Sequence, residues 1–420
     1  MVGLLRERNF RLLWFGETVS GGGSSMAAVL IPLLAVTTLH ASTFYVAALT
    51  AASYLPWLII GLPAGAWVDR LPVRSLMIAC DVVAAALYAS LPVLAWLGLL
   101  NIGEVLVIAL LAGGANVLFA TAYQVYLPSL IDGADLMEGN AKLQGSASMA
   151  LIGGRGVAGL AAEGLGAAPA VLFNAASFLV SAACLLGIRT RRPERTATAP
   201  GRASLRAEIA EGGRLVARDP YLRAITLYAA AGNLTYSGYS ALLVVFLVKV
   251  AGLTAAVTGL LMSTVGVGGL AGALIARRLG GRLGTLPALR VTTLVTGVFA
   301  LLIPLTRSGP AITYYIVGAF MVSAGTLVGN ILSAAFRQAY CPPEMLGRVV
   351  GNMRFAAWGM MPLGALLAGA LGTALGVRTA LWVLLGGYAL SGLILLGMPG
   401  PGEAPPLVMT ENTSLQPSVR

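Results

Sequence analysis

The chain has 420 residues, of which 58% are hydrophobic and only 10% charged, with a formal net charge of +11. A soluble chain carries roughly 25% charged residues, so a water-facing surface of this length is excluded. The arginines fall almost entirely between apolar runs, in alternate segments, which is a membrane-topology pattern and argues against nucleic-acid binding.

The first apolar run, 12–38, is too long for a signal peptide and is read as a retained transmembrane helix. Further spans are predicted at 44–68, 75–99, 104–126, 140–163 and 169–188. A polar linker, 189–222, separates them from spans at 223–248, 255–276, 289–306, 311–335, 349–374 and 379–398. The expected fold is an all-α membrane protein of twelve transmembrane helices in two six-helix bundles, 1–188 and 223–398. The 53 glycines suit close packing of such helices. Within the linker, Ser204 to Arg218 reads as an amphipathic helix, with Leu205, Ile209, Leu215 and Val216 on its apolar side, and is expected on the inner leaflet. The Pro-rich, polar tail 399–420 is expected to be disordered.

Of the 27 lysines and arginines, 23 fall on the side of the two termini, three on the other, and Arg155 inside a span. That bias predicts both termini in the cytoplasm. One histidine, His40, and three scattered cysteines, Cys80, Cys184 and Cys341, form no disulfide framework and no metal or haem ligand set. No cofactor is expected. No phosphate-binding G-x-x-x-x-G-K-[ST] loop occurs, so an ion or solute gradient must supply the energy.

The halves echo one another. Gln124-Val-Tyr-Leu-Pro128 with Asn140 is answered by Gln338-Ala-Tyr-Cys-Pro342 with Asn352, and Gly65 to Arg70 by Gly272 to Arg277. Parallel six-helix repeats mark one large transporter class. The most specific motif is Gly65-Ala-Trp-Val-Asp69-Arg70-Leu-Pro-Val-Arg74, in the short loop after the second span. With Arg8 to Trp14, Tyr126 to Leu130, Phe173 to Phe178, Leu346-Gly-Arg348 and Pro362-Leu-Gly364, it makes residues 8 to 398 resemble the major facilitator superfamily. More narrowly the chain is similar to its drug:proton antiporters that export macrolides and siderophores.

That resemblance implies a gating role for Gly65, Asp69, Arg70 and Arg74. Asp69 would meet the positive N-terminus of span eleven near Gly347 to Gly351 and hold the cytoplasmic gate shut. In the second-half echo Ala276 stands where the Asp would be. Arg155 stands where related exporters carry a proline, within Gly153-Gly-Arg155-Gly-Val-Ala-Gly159. It is either a substrate- or proton-site charge or a snorkelling or bundle-internal ion pair.

Glu17, followed by Gly21-Gly-Gly23, is a proton-carrier candidate, since a buried carboxyl can exchange protons near neutral pH. Its alternative is pairing with Arg8 or Arg11. Asp81 is a second candidate, or else a member of the charge cluster around Arg74. Glu163 is expected to be solvated, too far from Arg155 to pair with it. Asn116, Tyr123, Asn233, Tyr236, Tyr239 and Asn330 either line a substrate cavity or bond between helices.

The resemblance and the Ala/Gly/Arg-rich composition imply a bacterial inner-membrane exporter of a small amphipathic compound such as an antibiotic, driven by proton antiport through alternating access. A siderophore or other native metabolite is the alternative cargo, and a membrane enzyme or receptor a remote one. The expected partners are the small-molecule substrate, protons and membrane lipid, with no nucleic acid, and a monomer is expected.

Overall fold

The computed structural model describes residues 3–68, 70–131, 135–189 and 205–398. The basic stretch 190–204 and the tail 399–420 lie outside the described residues, as does Asp69. The first half comprises α1 (Arg8–Leu33), α2 (Thr43–Val68), α3 (Val73–Trp96), α4 (Ile102–Leu130), α5 (Leu136–Leu165) and α6 (Ala167–Gly187). The linker helix α7 (Leu205–Arg218) follows. The second half comprises α8 (Pro220–Val245), α9 (Ala255–Leu283), α10 (Thr285–Ala300), α11 (Ile312–Tyr340), α12 (Pro343–Leu375) and α13 (Val377–Ser391).

Eleven of the described helices are long and apolar enough to cross a membrane. The twelfth, α5, has the length at 30 residues but carries Glu138, Lys142, Arg155 and Glu163. Large apolar side chains on the outer faces, such as Leu111, Leu160, Leu260 and Val298, are more than half exposed. Such a surface suits acyl chains, not water.

Local chemistry sets the helix starts. Asn101 and Glu104 form a capping box on α4. The Asp219 carboxylate accepts from the Tyr221 and Leu222 N–H groups ahead of Pro220, and from the Tyr340 hydroxyl at 2.7 Å, tying the start of α8 to the end of α11.

The internal repeat is visible at atomic detail. α1 and α8, the first helices of each half, both end in a π turn, Leu34–Thr38 and Phe246–Val250. Leu39 N–H donates to Leu34 and Ala41 N–H to Ala35, as Ala251 does to Phe246 and Leu253 to Leu247. Each half also carries one arginine fastener. Arg74 of α3 donates to the Leu185 and Leu186 carbonyls at the end of α6, both at 2.8 Å. Arg290 of α10 donates to the Leu395 and Met398 carbonyls beyond α13, at 3.0 and 2.7 Å. A guanidinium on otherwise unpaired C-terminal carbonyls satisfies them and complements the helix dipole.

The linker helix α7 is not isolated on a leaflet. Gly212 and Gly213 let it approach Arg348 and Asn352 of α12, and a Cβ at Gly212 would stand 2.9 Å from the Arg348 carbonyl oxygen. Glu211 pairs with Arg348 at 2.6 Å, and Val216 is buried with Leu222, Val349 and Met353. Leu215 and Val216 of its expected apolar side thus pack against the second half.

Candidate functional site: the interface between the halves

The two halves meet along α5 against α9 and α2 against α12. Gly159 and Gly259 bring α5 and α9 into backbone contact, and a Cβ at Gly259 would stand 2.6 Å from the Arg155 carbonyl oxygen. Ser263 Oγ donates to the Ile152 carbonyl at 2.9 Å. Near the end of α5, the Glu163 carboxylate accepts from the Ala256 N–H at 2.9 Å. Glu163 therefore sits on the positive end of α9 and is not merely solvated. On the other seam Gly369 packs on Phe44 and Ala47, Gly372 on Thr43, and Trp57 meets Trp358 edge-on at 4.8 Å.

These contacts belong to the face opposite the termini and reach to mid-depth. Toward the basic face the seams part. Gly65, Gly145, Gly347 and Gly351 each have open space where a Cβ would stand. Among the described residues, Gly65 at the end of α2 and Gly347 and Gly351 at the start of α12, where the Gly65–Arg74 loop was expected to engage, are therefore not packed against a neighbour on that side. Arg70 is exposed, and Arg74 is engaged with α6 within its own half, so the motif's second arginine acts as a fastener in this state. Asp69, the motif's carboxylate, lies outside the described residues.

Within the first half, Glu17 of α1 and Asp81 of α3 lie within electrostatic reach of one another. Glu17 Oε1 and Asp81 Oδ2 are buried without a hydrogen-bond partner. Ser181 of α6 faces Asp81, and Tyr123 of α4 is within reach of Glu17. No described cation pairs with either carboxyl: the Arg11 guanidinium turns to the Leu5 carbonyl, and Arg74 to α6. The anticipated pairing of Glu17 with Arg8 or Arg11 and the grouping of Asp81 with Arg74 are both absent among the described residues. A buried carboxyl with no cation is held most cheaply as the neutral acid.

Arg155 reaches the interface between the halves. It is half-buried, and its Nε is fully buried and unpaired. Its only described hydrogen bond is a long one, 3.4 Å, to the Met262 carbonyl. Tyr54 of α2, Tyr239 of α8 and Tyr315 of α11 lie within its electrostatic reach. The Tyr239 and Tyr315 hydroxyls are buried and face one another. Tyr236 packs edge-on to Tyr239 at 5.8 Å.

The remaining candidates divide. Asn233 donates to the Ala357 carbonyl at 3.0 Å and Ser237 to Met361 at 2.8 Å, so this side of α8 is fixed to α12 by interhelical bonds. Asn116 and Asn330 are exposed and make no described hydrogen bond. Asn116 shares a helix face with Tyr123, two turns on. Sequence reasoning missed the Glu163 contact, because its partner is a backbone N–H that any residue would supply. It also missed Trp57 and Trp358, two aromatics among many until the fold brings them together.

The family model described as the Major Facilitator Superfamily matches residues 13–361. A multidrug efflux pump, Tap, from Mycolicibacterium fortuitum is 29% identical over 401 residues, covering 92% of this chain and 95% of the relative. The Tap pump of Mycobacterium tuberculosis is 26% identical, covering 93% and 94%. Among solved structures, a bacterial homologue of the iron transporter ferroportin in an inward-facing state aligns with a TM-score of 0.74 at 18% identity, covering 94% of this chain and 98% of that one. The nucleoside transporter NupG aligns with a TM-score of 0.74 at 11% identity, covering 92% and 98%. The match runs from the first span into the eleventh, and the fold is shared with transporters of distant sequence. The chain is a multi-pass membrane transporter and belongs to the Major Facilitator Superfamily.

Proposed function

We propose that the protein is a proton-coupled exporter of small amphipathic compounds, working by alternating access in a bacterial inner membrane. The arginine bias assigns the basic face to the cytoplasm. On that reading the halves are closed outward and parted inward, so the structure is an inward-open state ready to load from the cytoplasm or inner leaflet. The observation that carries the coupling is the Glu17–Asp81 pair: two buried carboxyls on different helices with no cation between them. The names of the Tap relatives support the outward direction.

Rocking the halves closes the basic face, and the loop Gly65 to Arg74, with Asp69, then meets the start of α12 as the inner gate. Protonation from outside at Glu17 and Asp81 neutralises the pair and favours return to the inward-open state. The test is efflux from a drug-sensitive bacterial host across a compound panel, with and without a protonophore. Uphill efflux should collapse with the protonophore; efflux indifferent to it would remove proton coupling. Glu17→Gln should abolish uphill efflux while leaving downhill counterflow, and a variant that still concentrates drug against its gradient removes Glu17 from the role.

A further inference from the structure

Arg155 Nε is buried at the interface between the halves without a hydrogen-bond partner, and the hydroxyls of Tyr239 and Tyr315, which face one another, lie within its electrostatic reach. Arg155 comes from the first half and the two tyrosines from the second, so packing within one bundle does not explain where the guanidinium stands. An unsatisfied buried donor costs about 1–3 kcal/mol, and more for a charged group, and native structures leave few without a reason. Among the described residues Arg155 has no acidic partner: Glu163 is committed to the α9 terminus, and Glu17 and Asp81 lie on α1 and α3 away from it. What the guanidinium lacks is an acceptor, and a negatively charged one answers it.

The surroundings extend this. Tyr54 lies within reach of Arg155, and Trp57 follows one turn along the same side of α2. Trp57 meets Trp358, which is 41% exposed. Aromatic side chains therefore lie one helical turn from a residue within reach of Arg155. Toward the basic face Arg337 of α11, whose Nε is also buried and unpaired, lies near Arg354 of α12. Two like charges left together without a described acid set a positive potential along the approach.

We infer that the central site takes an aromatic organic anion, its carboxylate or phosphate held by Arg155 and the Tyr239 and Tyr315 hydroxyls and its ring on Trp57 and Trp358. This rests on the reading that the interface between the halves is the transport path. A guanidinium offers a planar fork that matches such a group, while the tyrosine hydroxyls fix its orientation. A cationic drug would face Arg155 unscreened.

The test uses the full-length protein in proteoliposomes and three probes of one shape: naphthoate, its neutral amide, and the naphthylmethylammonium cation. Binding is read by quenching of tryptophan fluorescence, transport by counterflow of labelled probe. The wild type should bind naphthoate about tenfold or more tighter than the amide, the worth of one charge-assisted bond. Arg155→Gln should erase that gap while leaving amide binding unchanged, which also shows that the variant is folded. Arg155→Lys should keep part of the gap, and Tyr239→Phe should narrow it. Equal binding of anion and amide, no binding of naphthoate, or a gap that survives Arg155→Gln overturns the proposal. Arg155-dependent binding of naphthoate with no counterflow would instead leave the site standing and remove the transport reading. Counterflow of the cation independent of Arg155 would do the reverse.

Discussion

His40 and Gly252 occupy the same place in the two halves, just beyond the π turns of α1 and α8, with φ of +48° and +68°. An L-residue with a Cβ pays roughly 1–2 kcal/mol for that region. Gly252→Ala should therefore lower the thermal midpoint in detergent, by about 1 kcal/mol of stability, while leaving substrate binding intact. A midpoint that does not fall would show that the turn is not held as described. The lone histidine is thus a turn residue, a role that no ligand pattern in the sequence suggested. The site was less legible than such turns. Glu17 stood out as a carboxyl in an apolar run, but its partner Asp81 was grouped with Arg74 because sequence distance along α3 favoured that. Only the fold shows the Arg74 guanidinium turned away onto the α6 carbonyls, and Asp81 facing Ser181 within electrostatic reach of Glu17.

At the level of helices, the outer closure includes one carboxylate set on one helix end, alongside the Lys249 bond to the Ala41 carbonyl. Glu163 meets the first turn of α9 across the seam, beside the Gly159–Gly259 contact. Glu163→Gln keeps an acceptor but loses the charge that answers the dipole, worth about 0.3–1 kcal/mol. The outward-closed population should fall about two- to fivefold, read as increased labelling of a cysteine placed at Phe44 from outside. Unchanged labelling would mean that the other contacts between the halves hold the closure without it. The arginine fasteners give a second prediction. Arg74→Gln and Arg290→Gln should each destabilise by about 1.5–3 kcal/mol, and the double variant by their sum, because the sites lie in separate halves with no shared partner. Strong non-additivity in the melting of the three variants would contradict that independence. Helix positions themselves were read closely from hydropathy, even for polar α5, expected at 140–163 and found over Leu136–Leu165. What the sequence withheld was partnership: carbonyls at the end of α6 and an N–H at the start of α9 carry no side-chain signature.

Across the whole molecule, the contacts that hold the halves together are few in kind: glycine seams, one carboxylate on one helix end, side chains of Ser263, Arg155 and Lys249 on backbone carbonyls, and a pair of tryptophans. Each depends on positions in one half matching positions in the other. The contacts within a half add charged side chains that fasten helix ends, as with Arg74, Arg290 and Asp219. Alternating access needs this contrast, since rigid bundles must slide over an interface without remaking their interiors. The pseudo-symmetry was visible in the motif echoes of Gln124 and Gln338, but the shared π turns and arginine fasteners were not, since they are properties of backbone geometry. The docking of α7 fits the same division: through Gly212 and Glu211 the linker helix travels with the second half alone.

The paired fasteners bear on how the chain could be made. A bundle that locks its own third and sixth helices needs no peptide bond to its neighbour. Two separate polypeptides, one ending at Arg189 and the other beginning at Leu205, should therefore find one another when produced in the same cell. They should co-purify and restore efflux, whereas a break placed between α3 and α6 should leave neither piece recoverable from the membrane.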